Sequence, residues 1–324
     1  MERDQKIGNR PRILVLGATG RTGKAVVQEL KSRQEEFEVV LASRNHKQVE
    51  GWKQAGTSAV YIDLEDARTF FPALEGIDRL YLTTGYTVAM VHQCKNLVDA
   101  AADAGAGFIV HLGIFGNGRS TDPHFAWHEM IERYIEGSGV AWCHLHPHFF
   151  MDNLLTTLPV IDGQIHWYTG EKRTGWIAVD DLAAVSALVL AEGPDKHASK
   201  QYWLSTEVMN GVEAAEAITQ GLGQPIRCVV MTPDDLLAQL ASGTVSMPPV
   251  LEANYAASAL EWLRQTYDGR MDYSAVTTTT VRDLTGRPPL TLRAWVERYR
   301  DMVLEAGKRT GSSADPQVPP LDSR

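Results

Sequence analysis

Gly17, Gly20 and Gly23 recur at three-residue spacing within the run Gly17-Ala18-Thr19-Gly20-Arg21-Thr22-Gly23. An apolar stretch, Ile13-Leu14-Val15-Leu16, leads into them, and Val26, Val27 and Leu30 follow at helical spacing. Glycines between a buried strand and an amphipathic helix suit a diphosphate. The first permits a tight turn, the second lets backbone approach the phosphates, and the third allows close packing of helix on strand. The helix N-terminus adds free N–H groups and a partial positive charge. Thr19, Arg21 and Thr22 share that loop and count as contacts. A loop whose glycines serve only the turn is the plain alternative, and the agreement of strand, spacing and helix weighs against it.

The end of the second strand separates two dinucleotides. A site for NAD usually places Asp or Glu there to hold the ribose 2′-hydroxyl. This chain has Ala42-Ser43-Arg44-Asn45-His46-Lys47 instead, with two cations and no carboxylate. Arg44, aided by Lys47, suits a 2′-phosphate, so NADP(H) is the expected cofactor. Two solvated surface cations are the bland alternative. Asp63 follows the third strand and either meets the adenine edge or serves a turn. Thr83 and Thr84 end the fourth strand and His111 lies near the end of the fifth, where a cofactor groove is expected.

Histidines supply the candidate proton chemistry. His124 and His128 are four apart and share a helix face. An imidazole can relay a proton to an oxyanion or a reduced nitrogen. The alternative leaves His128 bonded to backbone or ribose and His124 exposed. His144, His146 and His148 alternate along a strand, but no Cys, Asp or Glu nearby completes a metal set, so no metal is expected.

These residues need a scaffold, and the chain alternates short apolar strands with longer amphipathic helices from Arg12 onward. Strands are expected at 12–17, 38–42, 59–62, 79–83, 108–112 and 140–145, with helices near 22–32 and 88–104. Asp122 and Pro123 start a further helix, which ends at Gly137-Ser138-Gly139. The expected fold is α/β, a Rossmann doubly wound parallel sheet with a smaller, mainly helical C-terminal substrate lobe. An extension at 1–11 precedes an NADP-binding core at 12–148. Residues 149–306 form the substrate lobe, with core elements returning near 177–205, and 307–324 read as a disordered tail. Asp180 and Asp181 are expected to cap a helix and Tyr202 to Ser205 to return as a strand. Residues 206 to about 304 read as mainly helical, broken at Gly221-Leu222-Gly223 and Met247-Pro248-Pro249, and 149–172 as aromatic and irregular.

Composition sets broad limits. The 324 residues are 44% hydrophobic and 22% charged, close to globular averages. No apolar run suits a membrane span, and Met1 to Arg12 lacks a signal-peptide core, so a cytoplasmic address is expected. Three scattered cysteines fit reduced thiols. The net charge of −9 disfavours nucleic acid and anionic membranes as partners. A homodimer is compatible with this reading.

The glycine run continuing as Lys24-Ala25-Val26-Val27, the pair Ser43-Arg44, and the set His128, Ile131, Glu132, Ser138 and Gly139 carry a resemblance. Leu145-His146-Pro147 with Phe150-Met151-Asp152-Asn153, Val179-Asp180-Asp181-Leu182-Ala183 and Thr285-Gly286-Arg287-Pro288-Pro289 extend it. Together they resemble the NmrA-like branch of the atypical short-chain dehydrogenase/reductase superfamily. The resemblance implies NADP(H) on a Rossmann core. It spans quinone, triphenylmethane dye, isoflavone-type and imine reductases as well as non-catalytic NADP(H) sensors of NmrA type. Main-line members place Tyr-x-x-x-Lys on the helix after strand five. Here the spacing occurs only at Tyr168 and Lys172, after strand six, and reads as coincidence. By resemblance His128 takes the position of a catalytic Lys or His in related reductases, and His124 lies one turn earlier. His146 replaces a common Arg. Phe149, Phe150, Met151, Trp167, Tyr168 and Trp176 are expected to wall an apolar pocket. The expected activity is NADPH-dependent hydride transfer to a small aromatic, quinonoid or iminium/conjugated substrate.

Overall fold

The structure is a computed structural model and describes residues 10–33, 35–245 and 252–311. The first half runs β1 (Arg12–Val15), α1 (Arg21–Lys31), β2 (Glu38–Ser43), α2 (His46–Gln54), β3 (Ala59–Tyr61), α3 (Phe70–Leu74) and β4 (Arg79–Leu82). It continues through α4 (Met90–Asp103), β5 (Phe108–Leu112), α5 (Pro123–Gly137) and β6 (Ala141–Pro147). Then come β7 (Phe149–Phe150), β8 (Gln164–Trp167), β9 (Thr174–Ile177), α6 (Val179–Glu192), α7 (Pro194–His197), β10 (Lys200–Leu204) and β11 (Glu207–Met209). The rest is α8 (Gly211–Leu222), β12 (Arg227–Val230), α9 (Pro233–Ser242), α10 (Ala253–Tyr267), α11 (Thr280–Thr285), α12 (Leu292–Arg298) and α13 (Arg300–Gly311).

Seven parallel strands form the central sheet in the order β10-β6-β5-β4-β1-β2-β3. The order reverses between β1 and β4, which opens a crevice beyond their carboxyl ends. Because side chains alternate along a strand, Ile13 and Val15 face one layer and Leu14 the other. The first layer is closed by Val26, Val27 and Leu30 of α1 and Leu182, Val185 and Val189 of α6. The second is closed by Leu97 and Val98 of α4 and Ile131 and Ile135 of α5.

A third core belongs to the C-terminal lobe. Met151, Ile165, Trp167, Trp176, Ile218, Trp295 and Val303 are buried there. Two small sheets, β11-β9-β7 and β12-β8, run through this lobe. Sequence reading expected irregular chain and helix at those places. The strands are two to four residues long, too short to print a period-two pattern.

Other expectations need correction. Asp180 and Asp181 sit inside the first turn of α6, whose cap is Ala178 without a side-chain bond. Asp181 instead accepts from the Leu290 N–H at 2.8 Å, and Asp180 accepts from the Tyr299 hydroxyl at 2.9 Å. Residues 307–311, read as tail, continue α13, and a Cβ on Gly307 would lie 1.9 Å from the Val160 carbonyl. The helix persists there because its glycine seats it against that backbone. The Met247-Pro248-Pro249 break, and most of the expected extension and tail, lie outside the described residues.

Candidate functional site

Gly17 takes a positive φ of 62°, and its carbonyl accepts from the Gly20 N–H at 2.8 Å. A Cβ at Gly23 would lie 2.2 Å from that carbonyl oxygen, and one at Gly17 would lie 2.9 Å from Thr83 Cγ2. The turn is therefore pressed against α1 on one side and the end of β4 on the other. Only hydrogen fits at either α-carbon. Six later helices, α2, α5, α8, α9, α10 and α12, are capped by the side chains of Asn45, Asp122, Asn210, Thr232, Glu252 and Thr291. α1 begins at Gly20 with no side-chain cap and no acidic residue in its first turn. Its leading N–H groups remain available to an anion.

Thr19 and Gly20 are exposed, while Arg21 and Thr22 are half-buried. The Arg21 guanidinium donates to Thr156 Oγ1 at 3.3 Å, tying the loop to the C-terminal lobe. Arg44 and Lys47 are both exposed beyond β2. Between them Asn45 caps α2 and His46 stacks on Tyr61 with ring centroids 3.7 Å apart. Thr83 and Thr84 are half-buried at the end of β4. Asp63 Oδ1 accepts from the Glu65 N–H at 3.1 Å in the turn after β3.

His111 is a correction. Its imidazole is fully buried, packed between His128 and His144, and offers no surface to the crevice. Strand alternation turns residue 111 beneath α5, so closeness to the strand end did not bring its ring to the ligand side.

His124 and His128 share a face of α5 with rings 5.1 Å apart. His124 Nε2 lies 2.7 Å from the Tyr255 hydroxyl of α10, so His124 is partnered and half-buried rather than exposed. Burial pushes the His124 pKa down to about 4. His128 is nearly enclosed, and burial lowers its pKa well below the usual range, with His124 and His146 adding to the effect. Burial thus favours the neutral form of both rings. Tyr255 was missed by sequence reading because it lies 131 residues from His124, and a lone Tyr on a helix carries no local signal. Tyr86, after β4, meets the Tyr255 ring edge-on at 5.6 Å.

The expected aromatic wall is largely core. Met151 and Trp176 are fully buried and Trp167 nearly so, with the two indoles stacked 5.6 Å apart. A small lobe must spend its largest apolar side chains on its own interior. Phe149 and Phe150 remain half-buried, Phe149 parallel to Trp262 at 6.1 Å. Tyr168 donates to Gln239 Oε1 at 2.8 Å and Lys172 pairs with Asp272 at 2.9 Å, both within the C-terminal lobe. Among the described residues no group of three or more His, Cys, Asp or Glu is arranged to hold a metal ion. None of the described helices is long and apolar enough to cross a membrane.

Sheet order, glycine turn and open helix end define a doubly wound α/β protein with a dinucleotide-type anion site. The chain belongs to the NmrA-like family, whose pattern it matches over residues 9–278. An NAD(P)H azoreductase of Xenophilus azovorans is 29% identical over 291 residues, which is 89% of this chain and 97% of the relative. The structure resembles the NADPH-dependent quinone oxidoreductase of Escherichia coli complexed with NADPH. That match has a TM-score of 0.73 at 22% identity, over 89% of this chain and 99% of the other. It also resembles NmrA, a negative transcriptional regulator, in complex with NAD: TM-score 0.71, 15% identity, 93% and 98% coverage.

Proposed function

We propose that this chain is an NADPH-dependent reductase acting on a small aromatic, quinonoid or iminium/conjugated substrate. The observation that carries the reading is the uncapped start of α1 against the Gly17 turn, with exposed Arg44 and Lys47 beyond β2. Residues 12–148 serve as the NADP-binding core and 149–306 as the substrate lobe, with core elements returning near 177–205. The family's azoreductase relative, matched over nearly its whole length, supports reduction over regulation.

The residues present fit the cofactor. Leading N–H groups of α1 and the backbone of Gly20 hold the diphosphate, while Thr19, Arg21 and Thr22 flank it. Arg44, with Lys47 beside it, pairs with the 2′-phosphate. Thr83 and Thr84 bound the groove beyond β4. Bound NADPH supplies hydride at its nicotinamide. The chain must position the acceptor, limit water and, for a neutral acceptor such as a quinone, hold one proton nearby. His124 and the Tyr255 hydroxyl, joined across the two lobes at the head of α5, hold that proton. His128 sits one turn behind. Phe149 and Phe150 are the aromatic candidates that retain surface for a flat acceptor.

The test is loss of reduced-nicotinamide absorbance with quinones, azo dyes, cationic dyes and cyclic imines. Turnover on at least one of them is expected. Tight NADPH binding without turnover on any would replace this reading with a non-catalytic NADP(H) sensor.

A further inference from the structure

α10 runs past the carboxyl ends of β4, β5 and β6 and is pinned to the core along its length. At its cap the Glu252 N–H donates to the Tyr86 carbonyl at 3.1 Å. The Glu252 carboxylate accepts from the Val88 N–H at 3.0 Å, so the loop after β4 is held from two sides. Tyr255 then reaches His124 at the head of α5. Further on, Gln265 Oε1 accepts from the Thr121 hydroxyl, in the loop between β5 and α5, at 3.2 Å. Three separate parts of the core thus hold one helix, and its inner face is preorganised.

Tyr255, Ala259 and Trp262 follow one another at steps of four and three, and so share one stripe of that helix. The stripe reads ring, methyl, ring. Tyr255 meets Tyr86 edge-on at 5.6 Å and His124 at 4.8 Å. Trp262 lies parallel to Phe149, with 4° between the planes and 6.1 Å between centroids. Ala259, Trp262, Phe149 and His124 are all half-buried, and Tyr86 is 54% exposed. Ser258, beside the gap, turns its hydroxyl back onto the Tyr255 carbonyl at 2.6 Å. A helix that merely joined two lobes would fill position 259 with a large apolar side chain, because interiors are close-packed. Here the middle of the stripe is small, and the rings around it keep open surface.

The length of the gap bears on what fits it. Seven residues of helix rise about 10 Å from Tyr255 to Trp262. Two fused or linked rings fill such a span, and a single ring does not. The stripe carries no charged residue, which suits an uncharged conjugated surface.

We propose that this stripe of α10 is the seat of the acceptor, and that it selects conjugated acceptors of two rings over those of one. The seat deepens the reductase reading and rests on it for its purpose. The first ring, which carries the group to be reduced, lies at the Tyr255 end beside His124 and Tyr86. The second ring lies over Ala259 and reaches Trp262 and Phe149. Tyr86 therefore serves any aromatic acceptor, whereas Ala259 and Trp262 set the preference for length.

Two experiments test the seat. With oxidised NADP bound, so that no hydride is available, binding of the two-ring ligand 4-phenylazophenol is measured by calorimetry. Trp262→Ala removes one end of the seat, and Ala259→Leu fills its middle with a good helix former. Each should weaken binding about fivefold or more, as loss of a ring contact does. No binding to wild type, or a smaller loss in either folded variant, would overturn the seat whether or not the protein is a reductase. In turnover, menadione and methyl-1,4-benzoquinone present the same quinone with and without a second ring. Tyr86→Ala should raise KM for both alike. Trp262→Ala and Ala259→Leu should raise the menadione KM about fivefold more than the other, at unchanged NADPH affinity. Equal rises for the two quinones in those variants would overturn the seat, as would a Tyr86→Ala effect confined to menadione. Absence of wild-type turnover on every class of acceptor would refute the reductase reading alone and leave the calorimetry to decide the seat.

Discussion

Arg44→Ala is the sharpest perturbation of the cofactor reading, because the side chain is exposed and its removal leaves the core untouched. Among the described residues Arg44 makes no hydrogen bond or ion pair, so nothing in the fold is lost with it. A hydrogen bond to a charged group is worth about 1.5–3 kcal/mol. At about 1.4 kcal/mol per factor of ten, losing that contact weakens NADPH binding roughly 10- to 100-fold. NADH, which lacks the 2′-phosphate, should bind wild type and variant within about twofold of each other. The exposed setting adds a second mark: the NADPH preference of the wild type should shrink as ionic strength rises, and that of the variant should not. Titration by nicotinamide fluorescence at two salt concentrations measures all four constants. Equal losses for NADPH and NADH, or no loss for NADPH, would refute the assignment of Arg44 to the 2′-phosphate.

Two more predictions follow from the packing. Gly23→Ala places a methyl 2.2 Å from the Gly17 carbonyl oxygen, so the turn must open; overpacking of about 1–3 kcal/mol and loss of detectable NADPH binding should appear in urea unfolding and in titration. His144 is fully buried, and burial lowers its pKa to about 3. The unfolded chain takes up a proton below an ordinary pKa of about 6.5 while the folded chain does not, so this residue's contribution is present above 6.5 and is lost on acidification. Between pH 7.5 and pH 5 the wild type should lose on the order of 2 kcal/mol more than His144→Phe; equal acid sensitivity in urea unfolding would refute the burial argument.

Much of the fold could be read along the chain because it is locally encoded. Strands β1 to β5 announce themselves as short apolar runs between turns, and α5 begins at the expected Asp122 cap with Pro123 first. α8 ends where the Gly221-Leu222-Gly223 break was expected, with Gly223 in a left-handed conformation at φ 64°. The C-terminal lobe was less legible. Its short strands pair across long separations, as Glu207 does with Trp176, and such pairings leave no periodic trace. Side-chain direction was also hidden. Residues 111, 151 and 176 were placed near the site by position in the sequence, and their burial sets them in the interior instead.

The sequence by itself determined the sheet, the glycine turn and the charge beside it, because backbone conformation, helix starts and strand burial depend on neighbours a few residues away. Only the tertiary structure decided which groups meet. It paired Tyr255 with His124, sent the large aromatics into the lobe core, and aligned a stripe of α5 with histidines from two strands. Those contacts join residues far apart in the chain, and it is the packing of whole elements, which no local pattern records, that brings them within reach.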